Sequence, residues 1–358
     1  MNTPVSCDLF CAVVDNLGDA GVCWRLARQL AREHGWTVRL WIDDMAPLAR
    51  LRPGIDPTLA CQEADGVEVR PWRAPFPPAV PGQVVIEALA CELPPDFVAA
   101  MAERPPVWIN LEYLSAEDWV VGCHGMASPH AGLPLVKHFF FPGFGAGTGG
   151  LIRERDADFG PNEPHEDLRV SLFCYDNPAL PKLLDTWAAG ADAIDCTVAD
   201  GLPRRQVESW LGCPFAPGDD RRRGALRLRA SPFVSQLEYD RLLGRCDLNF
   251  VRGEDSFVRA QWAERPFVWQ IYPQADDVHH TKLEAFFARY TSGMDTAARD
   301  AVMNFSHAWN GYGTVVDAWP ALRAALPFLR AQATPWAEKI AVAGNLADNL
   351  ACFCMKRL

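Results

Sequence analysis

The chain has 358 residues, of which 49% are hydrophobic and 22% charged, and its formal net charge is −11. This length predicts two domains of ordinary size, and the composition excludes an intrinsically disordered protein. The acidic balance argues against a protein that binds nucleic acid through its phosphates, because such binding relies on clustered lysine and arginine.

The amino-terminal residues and the cysteines exclude further classes. Residues 1–7 lack the basic and apolar segments of a signal or transit peptide, and no apolar run approaches the length of a membrane span. The 12 cysteines are scattered without the paired C-x-x-C spacing of a zinc site. We therefore expect a cytoplasmic protein with reduced thiols and with neither membrane nor nucleic-acid partners.

The first half of the chain alternates strands with helices. An apolar run at 7–14 predicts a strand, and 22–34 predicts a helix that Gly35 ends in a left-handed conformation. A second strand is predicted at 37–42, which completes a βαβ unit. Further strands are predicted at 67–72, 84–88 and 107–111. This pattern indicates a doubly wound α/β domain over 1–155.

A glycine-rich and then charged stretch at 142–166 separates this half from a second alternating series. The second series predicts another Rossmann-like domain over 166–334. Its predicted strands lie at 169–175, 193–199 and 247–251, and a helix is predicted at 180–189. The segment 335–358 predicts one long helix that could pack on the first domain.

The turn after the first strand carries Asp15, Asn16, Gly18 and Asp19. In open parallel sheets, ligands bind beyond the carboxyl ends of the strands. The turn has neither dinucleotide nor P-loop glycine spacing, and two carboxylates here would attract a cation rather than a pyrophosphate. The alternative is a structural role, in which Asp19 caps the helix and Asp15 closes an Asx-turn.

A second short loop, R-G-E-D-S at 252–256, precedes another predicted helix. Gly253 permits close backbone approach, and Asp255 and Ser256 lie at the helix start, where free N–H groups favour a phosphate. Glu254 can accept hydrogen bonds from ribose hydroxyls. The alternative is an ordinary helix start whose acids interact with the macrodipole.

Four further residues are candidates for a nucleotide pocket. Phe173 and Tyr175 end a predicted strand, whereas Phe233 and Gln236 lie in the loop before a predicted helix. An aromatic side chain at a strand end can stack on a nucleobase, although packing in the core is the default for each residue taken singly.

Two groups of acids and histidines raise the question of a metal. His279 and His280 follow Asp276 and Asp277, but adjacent helical residues point about 100° apart, so we interpret the acids as N-caps. The D-x-D triplet at 156–158 lies in the charged stretch and is interpreted as solvated surface. We predict no metal site.

Several segments together resemble the elongation factor P arginine rhamnosyltransferase family. These segments are V-V-D-N-L-G-D-A-G-V-C-W-R-L-A-R-Q-L (13–30), F-C-Y-D-N (173–177), R-G-E-D-S-F-V-R-A-Q-W-A (252–263) and P-F-V-W-Q-I-Y-P-Q (266–274). The resemblance implies a GT-B fold of two Rossmann-like lobes with the active site in the cleft between them. It also implies inverting transfer of rhamnose from dTDP-β-L-rhamnose to one arginine of elongation factor P, without a cofactor.

The resemblance also implies roles for individual residues. Asp19 is expected to be the catalytic base, supported by Asp15, with Asn16 and Gly18 of the same turn contacting substrate. The residues expected to bind the donor are Glu254, Asp255, Ser256, Phe173, Tyr175, Phe233 and Gln236. From the fold pattern alone, another sugar-nucleotide transferase, a nucleotide-binding oxidoreductase or epimerase, and a non-catalytic nucleotide sensor stay open as alternatives.

Overall fold

The computed structural model describes residues 3–161, 163, 165–274 and 278–358. The chain divides into two compact units. Unit 1 comprises Met1–Asp156 and Ile340–Leu358, and unit 2 comprises Ala157–Lys339. None of the helices in the described ranges is both long enough and apolar enough to cross a membrane.

Unit 1 is built on an eight-stranded sheet. Its strands are β1 (Ser6–Cys11), β2 (Thr37–Ile42), β3 (Gln62–Ala64), β4 (Val67–Pro71), β5 (Val84–Ala88), β6 (Val107–Leu111), β7 (Ala127–Pro129) and β8 (Val136–Phe140). Its first helices are α1 (Leu17–His34), α2 (Met45–Leu51), α3 (Pro95–Met101) and α4 (Trp119–Cys123). The strand order is β3-β4-β2-β1-β5-β6-β8-β7, with β3 and β7 antiparallel at the edges and the inner strands parallel.

The first strand and helix differ from their predicted bounds. β1 ends at Cys11, three residues early, because the following N–H groups bond to side-chain carboxylates instead of a neighbouring strand. α1 begins at Leu17, so Asp19 lies in its first turn and not in the preceding loop. The predicted end is confirmed: Gly35 has a φ of 66°, and its N–H donates to Leu30 O.

Large apolar side chains fill the space beside the sheet of unit 1. Phe10 is fully buried, stacks on Trp41 with ring centroids 5.8 Å apart, and meets Phe97 edge-on at 4.9 Å. Burying one such side chain contributes about 1.5–3 kcal/mol. β1 is thereby held rigidly in the centre of the sheet, immediately before the acidic loop.

Unit 2 is built on a six-stranded sheet in which only the edge strand β11 is antiparallel. Its strands are β9 (Leu168–Leu172), β10 (Ile194–Val198), β11 (Asp220–Arg223), β12 (Leu226–Ala230), β13 (Leu248–Arg252) and β14 (Phe267–Gln270). Its helices are α5 (Leu180–Ala189), α6 (Leu202–Leu211), α7 (Gln236–Arg245), α8 (Asp255–Trp262), α9 (Val278–Tyr290), α10 (Thr296–Trp309) and α11 (Val315–Ala341). The strand order is β11-β12-β10-β9-β13-β14.

The carboxyl-terminal segment is not the single helix predicted over 335–358. α11 passes through Pro335 and ends at Ala341, and a new helix, α12, spans Leu346–Met355. The break follows from Gly344, whose φ is 85°, and from Asn345, whose side chain caps α12 by accepting from Ala347 N at 3.0 Å. α12 packs on α1 and belongs to unit 1.

Candidate active site

The strand order of each unit has a switch point, the position in a parallel sheet where ligands usually bind. In unit 1 the chain runs from β1 to β2 on one side and later to β5 on the other. In unit 2, β10 and β13 flank β9 in the same way. The loops after β1, β9 and β13 therefore lie at the switch points of their own sheets.

The loop after β1 is organised around the carboxylate of Asp19. Its Oδ2 atom accepts hydrogen bonds from Val14 N at 2.8 Å and from Asp15 N at 2.7 Å. Both donors precede the helix that carries Asp19, so the side chain ties the loop to the first turn of α1. Both of these bonds go to Oδ2.

Asp19 is buried, with only 4% of its surface exposed. Burial disfavours the charged form and raises the pKa of the carboxyl. The hydrogen bonds from Asp15 N and Val14 N favour the carboxylate and partly offset this rise, whereas the nearby negative charge of Asp43 raises the pKa further. The environment thus makes Asp19 a stronger base than an ordinary aspartate.

The other predicted residues of this loop, Asp15, Asn16 and Gly18, precede Asp19 and form the turn. Gly18 N donates to Asp15 O at 2.7 Å, and a Cβ at Gly18 would lie 2.6 Å from Asp15 Oδ2. Glycine at this position therefore makes room for the Asp15 carboxylate, which is partly exposed. Asn16 is exposed, and its φ of 40° and ψ of −106° lie outside the regions that most residues adopt.

In unit 2, the R-G-E-D-S loop is a tight turn between β13 and α8. Gly253 has a φ of 59°, and its carbonyl oxygen accepts from Trp269 Nε1 at 2.8 Å. The Ser256 hydroxyl bonds to the backbone of Arg252, accepting from its N–H at 3.0 Å and donating to its carbonyl. Ser256 thus closes the turn, and the N-terminal amides of α8 remain the phosphate-binding groups that the loop can offer.

The side chain of Arg252 lies against two of the predicted aromatic residues. Its Cζ atom is 4.5 Å from the ring centroid of Phe173 and 4.4 Å from that of Tyr175. Both rings lie just beyond β9, which ends at Leu172 and not at 175 as predicted. Cation–π attraction holds the guanidinium at the switch point, so a positive charge lies directly before the loop proposed to bind a diphosphate.

The remaining donor-site candidates lie at or just before the starts of α7 and α8. Gln236 is buried at the start of α7, and its Nε2 donates to Asp255 Oδ2 at 3.2 Å. Phe233 precedes α7 and is partly buried, while Glu254 is the partly exposed N-cap residue of α8. The structure therefore joins Gln236 to the R-G-E-D-S loop.

A buried ion pair fixes α7 against α8. Arg259 Nε lies 3.0 Å from Asp240 Oδ1, and Arg259 Nη2 lies 2.7 Å from Asp240 Oδ2. The two side chains are 0% and 3% exposed, respectively. This bidentate pair sets the spacing of the two helix N-termini that carry the donor-site candidates.

The two histidines considered for a metal make other contacts. His279 Nδ1 accepts from Gln274 N at 3.2 Å, and His280 packs edge-on against Tyr312 at 4.3 Å between ring centroids. Asp276 and Asp277 lie outside the described residues. Both histidines line a pocket of about 640 Å³ at the carboxyl ends of β9 and β14. Within the described ranges, no three acidic, histidine or cysteine side chains are grouped to hold a metal.

The D-x-D triplet lies on the surface, as interpreted from the sequence. The side chains of Asp156 and Asp158 are 71% and 47% exposed. Asp158 pairs with Arg241 at 2.8 Å and accepts from Gly160 N at 2.8 Å.

Sequence reasoning assigned no role to two residues that the structure places at these loops, Asp43 and Arg252. Asp43 lies next to the acidic loop only because β2 pairs with β1, so no local motif could reveal it. Arg252 is the first residue of the R-G-E-D-S motif. Because aromatic faces attract a cation, the two aromatic residues of F-C-Y-D-N could have indicated that an arginine packs against them.

Two Rossmann-like units in one chain are the architecture of the GT-B glycosyltransferases, and the chain has this fold. The rhamnosyltransferase SpnG, a spinosyn enzyme, shares this fold at a TM-score of 0.54 and 12% identity, with 98% of this chain and 99% of that chain covered. A structure of EarP-mediated arginine glycosylation of translation elongation factor EF-P matches at a TM-score of 0.68 and 34% identity, covering 99% and 100% of the two chains.

Sequence comparison identifies the family. The model of the Elongation-Factor P (EF-P) rhamnosyltransferase EarP matches residues 7–355. The protein-arginine rhamnosyltransferase of Pseudomonas putida is 46% identical, covering 97% of each chain, and that of Neisseria meningitidis serogroup B is 36% identical, covering 99% of each. The chain belongs to the elongation factor P rhamnosyltransferase family, which confirms the resemblance seen in its motifs.

Proposed function

We propose that this protein transfers rhamnose from dTDP-β-L-rhamnose to an arginine of elongation factor P, with inversion at the anomeric carbon and without a metal ion. Membership of the family supports the reaction, and the names of the relatives support arginine as the acceptor. The single observation that carries the proposal is the buried carboxylate of Asp19 at the switch point of unit 1.

The acceptor poses the harder chemical problem. The pKa of a guanidinium lies far above neutral pH and the cation has no free lone pair, so a carboxylate cannot deprotonate it before the reaction. In the proposed mechanism, Asp19 pairs with the guanidinium and directs one nitrogen at the anomeric carbon. As the C–N bond forms and the bond to the diphosphate breaks, Asp19 accepts the proton that this nitrogen loses.

The environment of Asp19 suits this step. Its raised pKa makes it a better proton acceptor, and its bonds to Val14 N and Asp15 N leave Oδ1 to take the proton. Asp15, next in the loop, adds a second negative charge that favours a cationic acceptor. An acidic loop is thus appropriate for arginine and unfavourable for a phosphate.

The donor side requires stabilisation of the negative charge that develops on the diphosphate. Arg252 and the N-terminal amides of α8 are the positive groups of the R-G-E-D-S loop, and we propose that they contact the diphosphate. Glu254 is proposed to accept hydrogen bonds from the ribose hydroxyls. Attack from the face opposite the diphosphate inverts the anomeric configuration.

Intact mass spectrometry of elongation factor P after incubation with the protein and dTDP-rhamnose tests the proposal. We expect the mass of one deoxyhexose to be added, and no addition when the acceptor arginine is changed to lysine. A chelator should leave the rate unchanged. An unmodified acceptor, or modification of the lysine variant, would contradict the proposed reaction, and loss of activity on chelation would contradict metal independence.

Replacing Glu254 with alanine should weaken the binding of dTDP-rhamnose. A hydrogen bond to a charged group contributes about 1.5–3 kcal/mol, so the dissociation constant should rise roughly ten- to hundredfold. Isothermal titration calorimetry measures this directly. Glu208 on α6, whose side chain is 41% exposed, provides a matched control, and Glu208→Ala should bind the donor normally. Equal affinity of the Glu254 variant and the wild type would rule out the ribose contact.

A further inference from the structure

The loop between β1 and α1 is held by two carboxylates, of which Asp19 is only one. Val13 N donates to Asp43 Oδ1 at 2.8 Å, whereas the next two amides, of Val14 and Asp15, donate to Asp19 Oδ2. Three consecutive N–H groups therefore donate to two carboxylates, one at the end of β2 and one in the first turn of α1. No strand partner replaces these bonds, because β1 has already ended.

Asp43 is itself fixed by structure outside the acidic loop. It follows β2 directly, and its N–H donates to Cys11 O at 3.3 Å. Its Oδ1 atom also accepts from Asp44 N at 2.7 Å, and Asp44 caps α2 by accepting from Ala46 N at 2.9 Å. The carboxylate is thus anchored by the end of an inner strand and the start of a helix.

We propose that Asp43 is a positioning residue for Asp19. Asp43 accepts the hydrogen bond from Val13 N and so fixes this part of the loop. The next two amides, of Val14 and Asp15, then hold Asp19 Oδ2 in place. As a result, Asp19 Oδ1 keeps one orientation toward the acceptor. Asp43 acts through the loop and does not contact substrate. The inference rests on the proposed role of Asp19 as the base. A base displaced by about 1 Å from its productive position can cost a hundredfold in rate.

Asp43 also acts on Asp19 through its charge. Burial is the main cause of the raised pKa of Asp19, and the negative charge of Asp43 adds to it. Among the described residues, the other titratable or charged side chains at this corner of unit 1, from the loops after β1 and β2 and from β1, α1 and α2, include Asp15, Asp44, Cys11, Cys23 and Arg50. Replacing the Asp43 carboxylate with an amide should therefore lower the pKa of Asp19 while keeping an oxygen acceptor for Val13 N.

Two substitutions at Asp43 separate the two effects. Asp43→Asn should keep a kcat near that of the wild type, while the acidic limb of the kcat/KM profile moves to lower pH, because the base stays ionised to lower pH. Asp43→Ala removes the acceptor for Val13 N and should lower kcat about ten- to hundredfold, with the KM for dTDP-rhamnose unchanged. If the acidic limb of the kcat/KM profile lies at a pH where the protein unfolds, carbon-13 NMR titration of the Asp19 carboxyl in the folded protein measures its pKa instead.

Asp44→Asn is the matched control, since it removes the neighbouring charge but keeps an N-cap for α2. It should show the wild-type kcat and the wild-type pH profile. Circular dichroism melting curves check that each variant is folded. A merely structural role for Asp43 would lower the melting temperature of Asp43→Ala but would leave the pH profile of Asp43→Asn unmoved, and that result would overturn the inference.

Asp19→Asn, measured in parallel, separates this inference from the proposed function. If Asp19→Asn is inactive while both Asp43 variants match the wild type in kcat and pH profile, the positioning role is wrong and the proposed function stands. If Asp19→Asn retains normal turnover, the proposed base is wrong and the positioning role fails with it.

Discussion

Replacing Asp19 with asparagine should abolish rhamnose transfer while leaving the fold and the binding of dTDP-rhamnose intact. Asparagine has nearly the same shape, and its amide oxygen can accept the bonds from Val14 N and Asp15 N that the carboxylate now accepts. It cannot take up the proton that the guanidinium nitrogen must lose. General acid–base catalysis contributes about 10²–10⁴-fold, so turnover should fall at least by the lower figure.

Single-turnover kinetics with elongation factor P measures this loss, and calorimetry with dTDP-rhamnose checks the donor site. Asp44→Asn is a suitable control, because Asp44 is a nearby aspartate whose side chain caps α2. Near-normal turnover of Asp19→Asn would show that another group accepts the proton. A parallel Asp15→Asn variant then tests the neighbouring carboxylate for the role.

Asp19→Asn should also change the dependence of stability on pH. Because the folded state raises the pKa of Asp19 above its unfolded value, the folded protein binds this proton more tightly, and the ionised carboxylate costs stability at neutral pH. That cost disappears as the pH falls through the folded pKa. Asp19→Asn should therefore melt at or above the wild-type temperature at pH 7, with the difference shrinking at lower pH. A lower melting temperature at pH 7 would contradict this reading of Asp19.

Removing the carboxylate of Asp240 should have the largest effect on stability. Asp240→Ala leaves the guanidinium of Arg259, which is 0% exposed, without its bidentate carboxylate. Breaking a buried ion pair from one side costs about 3–5 kcal/mol. In a unit of this size that corresponds to a fall of roughly 10 °C in melting temperature. Because the pair joins α7 to α8, we also expect weaker binding of dTDP-rhamnose.

Two further variants test whether the loss of stability comes from breaking the buried ion pair. Asp220→Ala removes one side of an exposed ion pair with Arg227 on unit 2 and should leave the melting temperature nearly unchanged. The double variant Asp240→Leu with Arg259→Met replaces both charges with apolar side chains and should recover much of the lost stability. A single Asp240→Ala variant that melts like the wild type would show that the pair does not hold α7 against α8.

The predicted fold is confirmed because it depended on local patterns. Apolar runs and helix-forming segments identified two Rossmann-like series, and Gly35 correctly predicted the end of α1. The errors lie where side chains compete with the backbone or where contacts come from afar. β1 ends early because carboxylates take the amides that a longer strand would use, and 335–358 breaks where Gly344 and Asn345 start a new helix.

The candidate site could be predicted only in part. The sequence identified both polar loops, and the structure places each at the switch point of its own sheet. The roles of Asp15, Asp19 and Glu254 stay predictions that the substitutions above will test. The role of Ser256 in binding the donor also stays a prediction, and the structure adds that its hydroxyl bonds to the backbone of Arg252 and closes the turn.

The sequence by itself determined the alternation of strands and helices, the family, and which two loops carry the polar residues, since periodicity and contiguous motifs are local properties. Tertiary structure alone decided the partners of these loops. Parallel pairing of β1 with β2 brings Asp43 to Val13 across 30 residues. The side-by-side course of β9 and β13 likewise brings Arg252 onto Phe173 and Tyr175. Such contacts depend on the order of strands in a sheet, which no local pattern of residues encodes.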